Sequence, residues 1–246
     1  VYGLAALGQP PAAATEADLR GELAEVCRLM YRQGYIVATD GNVSARLGED
    51  RLLVTPSGLC KGDMEPGDFV LADLRGEPID PAGRRPSSEI RLHVAIYEER
   101  RDVRAVVHAH PPTCVAFSLA GIEVANCILP EIVIGVGEMR MAPYATPTTQ
   151  AAADVVRPLV RSCDAIILDR HGSVTVGRDV RSAFYALERI EWAARVTHLA
   201  RQLGRVLTLP KPEVERLLEV RSKLTGRARR DPCNLCGACV AGTMPY

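Results

Sequence analysis

The sequence predicts an α/β fold: three layers, α-β-α, around a mixed, mainly antiparallel central sheet. Three observations carry that expectation. Strand-length apolar runs and helix-length amphipathic stretches are intermixed along the chain. Many of the strand candidates are joined by tight turns, a connection open to antiparallel neighbours and closed to parallel ones. The 246 residues, 47% of them hydrophobic, can also bury one sizeable core.

Val1 to Ala14 is small and apolar, lacks a basic leader and is broken by Pro10 and Pro11. It reads as a flexible N-terminus rather than a signal peptide. One domain follows over 15–225, and an Arg/Cys-rich tail occupies 226–246. Thr15 caps the first helix, with Asp18 completing a variant capping box. Leu19, Leu23, Val26 and Met30 form its apolar stripe, and Gly34 ends it. Asn42–Leu47 and Leu52–Thr55 alternate as strands and read as a hairpin. Phe69 to Leu74 is a further strand, and 76–86 a Gly-, Pro- and Arg-rich loop. Ser87 or Ser88 caps the second helix, which runs to about Arg101 with Glu89 in its first turn. Val103 to His110 is a strand closed by Pro111 and Pro112, and a short helix follows. Ile122–Ile128, Ile132–Gly137 and Met139–Met141 read as extended. Thr148 to Ser162 is helical, with Pro158 bending or ending it. Ala165–Leu168 and Val174–Val176 are buried strands with Asp169-Arg170-His171-Gly172 between them. Helices over Val180–Leu203 and Pro212–Leu224 complete the domain.

Thirty basic and thirty acidic side chains cancel. No global field argues for nucleic acid or an anionic membrane, so any anion recognition is local. No apolar run approaches the roughly 20 residues that span a bilayer. Five of the eight cysteines are scattered through core elements, which suggests a reducing cytoplasm.

Three clusters carry chemistry. The first is His108 and His110, whose strand spacing puts both imidazoles on one face. His171, in a turn before Gly172, is the best third ligand. Three histidines leave a zinc ion one open position, the catalytic pattern, and Glu89 could fill it at rest. His93, one helical turn beyond Glu89, reads as a packed neighbour of the site rather than a ligand, and His198 as structural or exposed. The second cluster comprises the small-residue turns Gly41-Asn42, Ser57-Gly58 and Ser87-Ser88. Each offers amides or hydroxyls to an anion, and only their convergence would make a phosphate pocket. The third is Cys233-x2-Cys236-x2-Cys239, whose thiolates suit a soft metal or an iron–sulfur cluster but lack a fourth local ligand. That tail borrows a ligand from elsewhere, binds a second metal weakly, or binds none.

Gly-Asn-Val-Ser-Ala-Arg at 41–46, Thr-Pro-Ser-Gly at 55–58, Ser-Ser-Glu at 87–89, Val-Val-His-Ala-His at 106–110, Ala-Pro-Tyr-Ala-Thr at 142–146 and His-Gly at 171–172 together resemble the class II aldolase/adducin family. The resemblance runs from about Thr15 to Leu218. It implies His108, His110 and His171 as zinc ligands, although another divalent ion could serve. Glu89 becomes the catalytic acid/base and resting ligand, and Gly41, Asn42, Ser57, Gly58, Ser87 and Ser88 the holders of a substrate phosphate. The implied activity is cleavage of a ketose 1-phosphate to dihydroxyacetone phosphate and an aldehyde. Fuculose phosphate and a 5-deoxy- or 5-methylthio-ribulose 1-phosphate are the substrates weighed. Zinc would act as a Lewis acid on the enediolate. The implied assembly is a cytoplasmic homotetramer with active sites between subunits.

Two departures stand out. The stretch 128–136 lacks the tyrosine that family members acting on fuculose phosphate lend to a neighbouring subunit as proton donor. Glu131, or a tail residue such as Tyr246, is the expected substitute. The cysteine tail is the second departure. Decarboxylation of a 3-oxo-tetronate phosphate, epimerisation of ribulose 5-phosphate and dehydration of methylthioribulose phosphate remain alternatives on the same metal. A non-catalytic adducin-like module and a metal- or redox-responsive tail are the competing non-enzymatic readings.

Overall fold

The computed structural model describes residues 14–226. The N-terminal stretch up to 13, the tail cysteines Cys233, Cys236 and Cys239, and Tyr246 lie outside the described residues. In chain order the elements are α1 (Glu16–Arg32), β1 (Asn42–Leu47), β2 (Arg51–Val54), β3 (Val70–Asp73), α2 (Ile90–Glu99), β4 (Ala105–Ala109), α3 (Pro112–Leu119), α4 (Pro130–Gly135), β5 (Met139–Ala142), α5 (Gln150–Val160), β6 (Ala165–Leu168), β7 (Gly172–Gly177), α6 (Val180–Leu203) and α7 (Lys211–Thr225). The strands form one sheet in the order β3-β2-β1-β4-β7-β6-β5. Only β5 and β6 pair in parallel; every other pairing is antiparallel. This is the mixed, mainly antiparallel sheet expected from the turns.

Alternation along the strands feeds two cores. Val43, Ala45, Val107 and Ala109 face α1, α3 and α6, meeting Leu23, Cys27, Phe117 and Leu187. Leu52, Val106, Ile166 and Val174 face α2 and α5, meeting Leu92, Ile96 and Val156. Each fully buried aliphatic side chain contributes about 1.5–3 kcal/mol relative to exposure. The sheet is thus held from both sides, and both ends of β4 are fixed in place.

Local rules explain most element ends. Thr15 accepts from the Asp18 amide while the Asp18 carboxylate takes the Thr15 amide, closing the anticipated box. Asp179 and Ser182 do the same for α6. Three expectations are corrected. Ile122–Ile128 forms no strand: Asn126 instead pairs its side-chain amide with the Met139 main chain at the sheet edge. Residues 132–135 are helical rather than extended. Pro130 pre-sets the first turn, and the buried Ile132, Val133 and Val136 fall on one helical face despite their β-branched composition. Finally, α2 begins at Ile90, so Glu89 itself sits at the cap position and neither serine caps the helix.

Candidate active site

The site forms where β4 ends, β7 begins and α2 starts. Asn42 of β1 lies opposite His108 in the ladder, and Ser44 opposite Val106, so their side chains share the face that looks toward α2. His108 is the one histidine within β4, and His110 lies just past the strand end. The His110 amide donates to the Tyr35 carbonyl, which fixes the main chain where the His110 ring meets His108. Gly172 is needed for the approach of the third histidine. A Cβ there would collide with the Ala109 carbonyl and the His110 ring. Gly41 serves the same purpose on the other side: its φ is +68°, and a Cβ would lie 2.9 Å from the His108 carbonyl oxygen.

These constraints bring one nitrogen from each of His108, His110 and His171 within 4.8 Å of one another. Zinc–nitrogen bonds of about 2.0–2.1 Å place tetrahedral neighbours roughly 3.3 Å apart, and His108 Nε2 stands 3.2 Å from His110 Nε2. His108 Nδ1 donates to the Ser173 carbonyl at 2.9 Å, which leaves Nε2 bare and aimed inward, as an orienting partner does for a ligating imidazole. Asp40 stands 3.6 Å from His110 Nδ1. Glu89 closes the ring of donors, with Oε2 at 3.2 Å from His108 Nε2 and Oε1 at 3.4 Å from His171 Nε2. The donor set therefore fits a divalent cation held by three imidazoles with a carboxylate alongside.

Electrostatics agree with the geometry. Burial first, and then the crowding of imidazoles that cannot all be protonated together, drives His110 and His171 each down to about 4, so both rings are neutral and ligand-ready at pH 7. Burial disfavours the Glu89 charge, yet His108, His171 and the Asn42 amide outweigh it. They hold the carboxyl well below the usual carboxylate range.

The three small-residue turns lie side by side. Pro56 bridges Pro86, the Ser57 amide donates to the Arg85 carbonyl, and the Ser87 amide donates to the Thr55 carbonyl. With those two amides committed, the exposed Ser57 and Ser88 hydroxyls and the Gly58 and Ser88 amides remain for an anion. The Asn42 side chain is also committed: its amide nitrogen donates to Glu89 at 2.9 Å. Lys61, which the sequence reading passed over, is buried at 2% exposure. It donates to the Thr39 carbonyl at 2.6 Å and the Leu59 carbonyl at 2.9 Å, tying the Gly41 turn to the Gly58 turn. A buried lysine in a glycine-rich stretch has no periodicity to betray it.

His93 is completely buried on α2, in hydrogen-bond contact with Asn42 and Ser44, and His198 is exposed on α6 beside Gln202. Glu131 lies in the first turn of α4, which packs on α6 and α7; no hydrogen bond joins it to the histidines. A cleft opens beside Glu89 and His171, walled by Arg91, Thr148, Thr149 and Asp169. Pro143 and Ala145 line the same cleft, so the motif at 142–146 sits beside His171, although nothing in its spacing assigned it a place.

Three imidazoles and a carboxylate at one end of a mixed sheet define a candidate divalent-metal centre on an α/β scaffold. Residues 21–198 match the class II aldolase and adducin N-terminal domain, and the chain belongs to that family. It is 36% identical over 186 residues to the 3-oxo-tetronate 4-phosphate decarboxylase of Cupriavidus necator, covering 74% of this chain and 84% of the relative. It is 35% identical over 207 residues to the 5-methylthioribulose-1-phosphate/5-deoxyribulose-1-phosphate aldolase of Rhodospirillum rubrum, covering 82% and 90%. The crystal structure of YgbL from Klebsiella pneumoniae superposes with a TM-score of 0.76 at 32% identity, over 83% of this chain and 99% of that one.

Proposed function

We propose that this protein is a metal-dependent lyase that cleaves a ketose 1-phosphate to dihydroxyacetone phosphate and an aldehyde. A 5-deoxy- or 5-methylthio-ribulose 1-phosphate is favoured over fuculose phosphate. The observation that carries the reading is the convergence of His108, His110 and His171 with Glu89 on one point. The Rhodospirillum rubrum relative, an aldolase by name, supports the substrate class.

His108, His110 and His171 would hold the cation, zinc by preference, and Glu89 would stand beside it. When bound, the cation supplies Lewis acidity to the oxygens flanking the bond that breaks. Glu89, ionised beside the histidines, is the group within reach that moves the proton at the carbon that carries the new charge. The Ser57 and Ser88 hydroxyls and the Gly58 and Ser88 amides receive the phosphate, with Lys61 bracing the turn beneath it. The leaving aldehyde occupies the cleft along Arg91 and Thr148. In a homotetramer with sites between subunits, Glu131 would serve the site of a neighbouring subunit. The five described cysteines are free thiols, which supports a cytoplasmic setting.

A decarboxylase acting on a 3-oxo-tetronate phosphate is the second reading, favoured by the Cupriavidus necator relative. One experiment separates them. Zinc per subunit is measured in the purified protein, then a panel of ketose 1-phosphates and 3-oxo-tetronate phosphates is assayed for dihydroxyacetone phosphate and for carbon dioxide. About one zinc with dihydroxyacetone phosphate released supports the aldolase; zinc with carbon dioxide alone moves the assignment to the decarboxylase. Zinc at full stoichiometry in a His108→Ala/His110→Ala variant would sink the histidine site.

A further inference from the structure

Behind Glu89 a line of polar side chains runs into the protein, and every proton along it can be placed. The ionised Glu89 carboxylate only accepts, so Asn42 turns its NH2 toward Oε2, at 2.9 Å. Its carbonyl Oδ1 is then left for His93 Nε2, 2.5 Å away. A carbonyl cannot donate, so Nε2 carries the proton. His93 is fully buried, and burial drives its pKa down to about 3, so the ring carries that proton and no other. Nδ1 is bare and accepts from Ser44 Oγ at 2.7 Å. With its proton spent there, Ser44 accepts from the Tyr97 hydroxyl at 2.8 Å. The donors all point one way, from Tyr97 through Ser44, His93 and Asn42 to Glu89.

The alignment has a simple origin. Asn42, Ser44 and Arg46 are alternate residues on one face of β1, and Glu89, His93 and Tyr97 are successive turns of one face at α2. Arg46 closes the far end, its guanidinium 4.7 Å over the Tyr97 ring and bonded to the Val103 carbonyl. Hydrogen bonds sharing one direction polarise one another. An amide sits in the chain, and an amide does not hand on protons, so the line orients groups rather than conducting.

We propose that His93 is a positioning residue for Glu89: through Asn42 it fixes the carboxylate in the rotamer that faces the histidine cluster, with Ser44 and Tyr97 holding its tautomer. The inference rests on the reading of Glu89 as the acid/base. It is tested on the full-length, zinc-loaded protein by two independent readouts. The nitrogen resonances of His93 should report the Nε2–H tautomer; an Nδ1–H ring would overturn the direction and the proposal with it. Kinetics on whichever substrate the panel assay turns over should show kcat falling roughly ten- to a hundred-fold in His93→Leu, with KM and zinc content unchanged. His93→Gln, which restores an N–H toward Asn42, should recover most of the loss. A wild-type kcat in His93→Leu overturns the proposal, as does a parallel loss of zinc. If His93→Leu fails to fold, Ser44→Ala decides, since it breaks the line one link further back. Its kcat should fall about three-fold or more, and an unchanged kcat overturns the proposal. Glu89→Gln separates the premise from the inference. If it keeps full kcat, the acid/base reading fails. If it is inactive while His93→Leu is unaffected, only the positioning role is lost.

Discussion

Where β4 and β6 begin, Arg100 donates to both oxygens of Asp102, to the Val160 carbonyl and to Asp164. Arg221 of α7 completes the group through Asp164 Oδ2 and the Ile134 carbonyl. Where β4 ends and β7 begins, three imidazoles and Glu89 converge instead, and the partners of Glu89 are imidazoles and an amide. Both groups are largely buried polar clusters on one sheet. The first contains cations and anions in contact and is complete by itself. The second is a set of acceptors aimed at one another, an arrangement that needs something positive at its centre. The difference separates a structural pin from a binding site without reference to sequence motifs.

Breaking the closed cluster should cost most. Asp164→Ala takes the carboxylate from the largely buried Arg221 and one of two from Arg100, and we expect a loss of about 3–5 kcal/mol in chemical denaturation, with zinc stoichiometry unchanged. Loss of zinc from that variant would show that the two ends are coupled. Emptying the open cluster comes next. At zinc about 100-fold above its dissociation constant, chelation should remove about 2.7 kcal/mol. The same chelator should leave the melting temperature of His110→Gln unmoved. A smaller effect follows from pH. The folded pKa values of His110 and His171, about 4 each, lie below the unfolded value of about 6.5. Between those limits the unfolded chain binds more protons, so metal-free stability should be fully present above pH 6.5 and be lost toward pH 4. Thermal scans should show a fall on the order of 5–10 °C, and a flat profile would mean that the rings are already charged in the fold.

Much of this was legible in the sequence. Thr15 and Asp18 announced their box, the hairpin at 42–55 its turn, and His108 and His110 their spacing. The 122–137 stretch was not legible, because short β-branched apolar runs look alike in helix and strand and only Pro130 hinted at the helix. The line behind Glu89 was half visible. Alternate polar residues at 42, 44 and 46 and a helical polar face at 89, 93 and 97 were each readable. Nothing in one dimension says that a strand of period two is laid against a helix of period near four. The turns proposed to receive phosphate met the same limit, since the contact between the 55–58 and 85–87 turns depends on the Pro56–Pro86 bridge.

The orienting bond from His108 to Ser173 joins residues 65 apart in the chain, and the donor set spans the start of α2, the end of β4 and the turn before β7. No short segment carries the whole centre: 108–110 offers two imidazoles, and the third arrives only when the ladder between β4 and β7 has closed. Loop closure on that scale must precede any reward from the ion. We therefore expect metal uptake to follow closure of that ladder, and zinc supplied during refolding to leave the stopped-flow rate of sheet formation as it was.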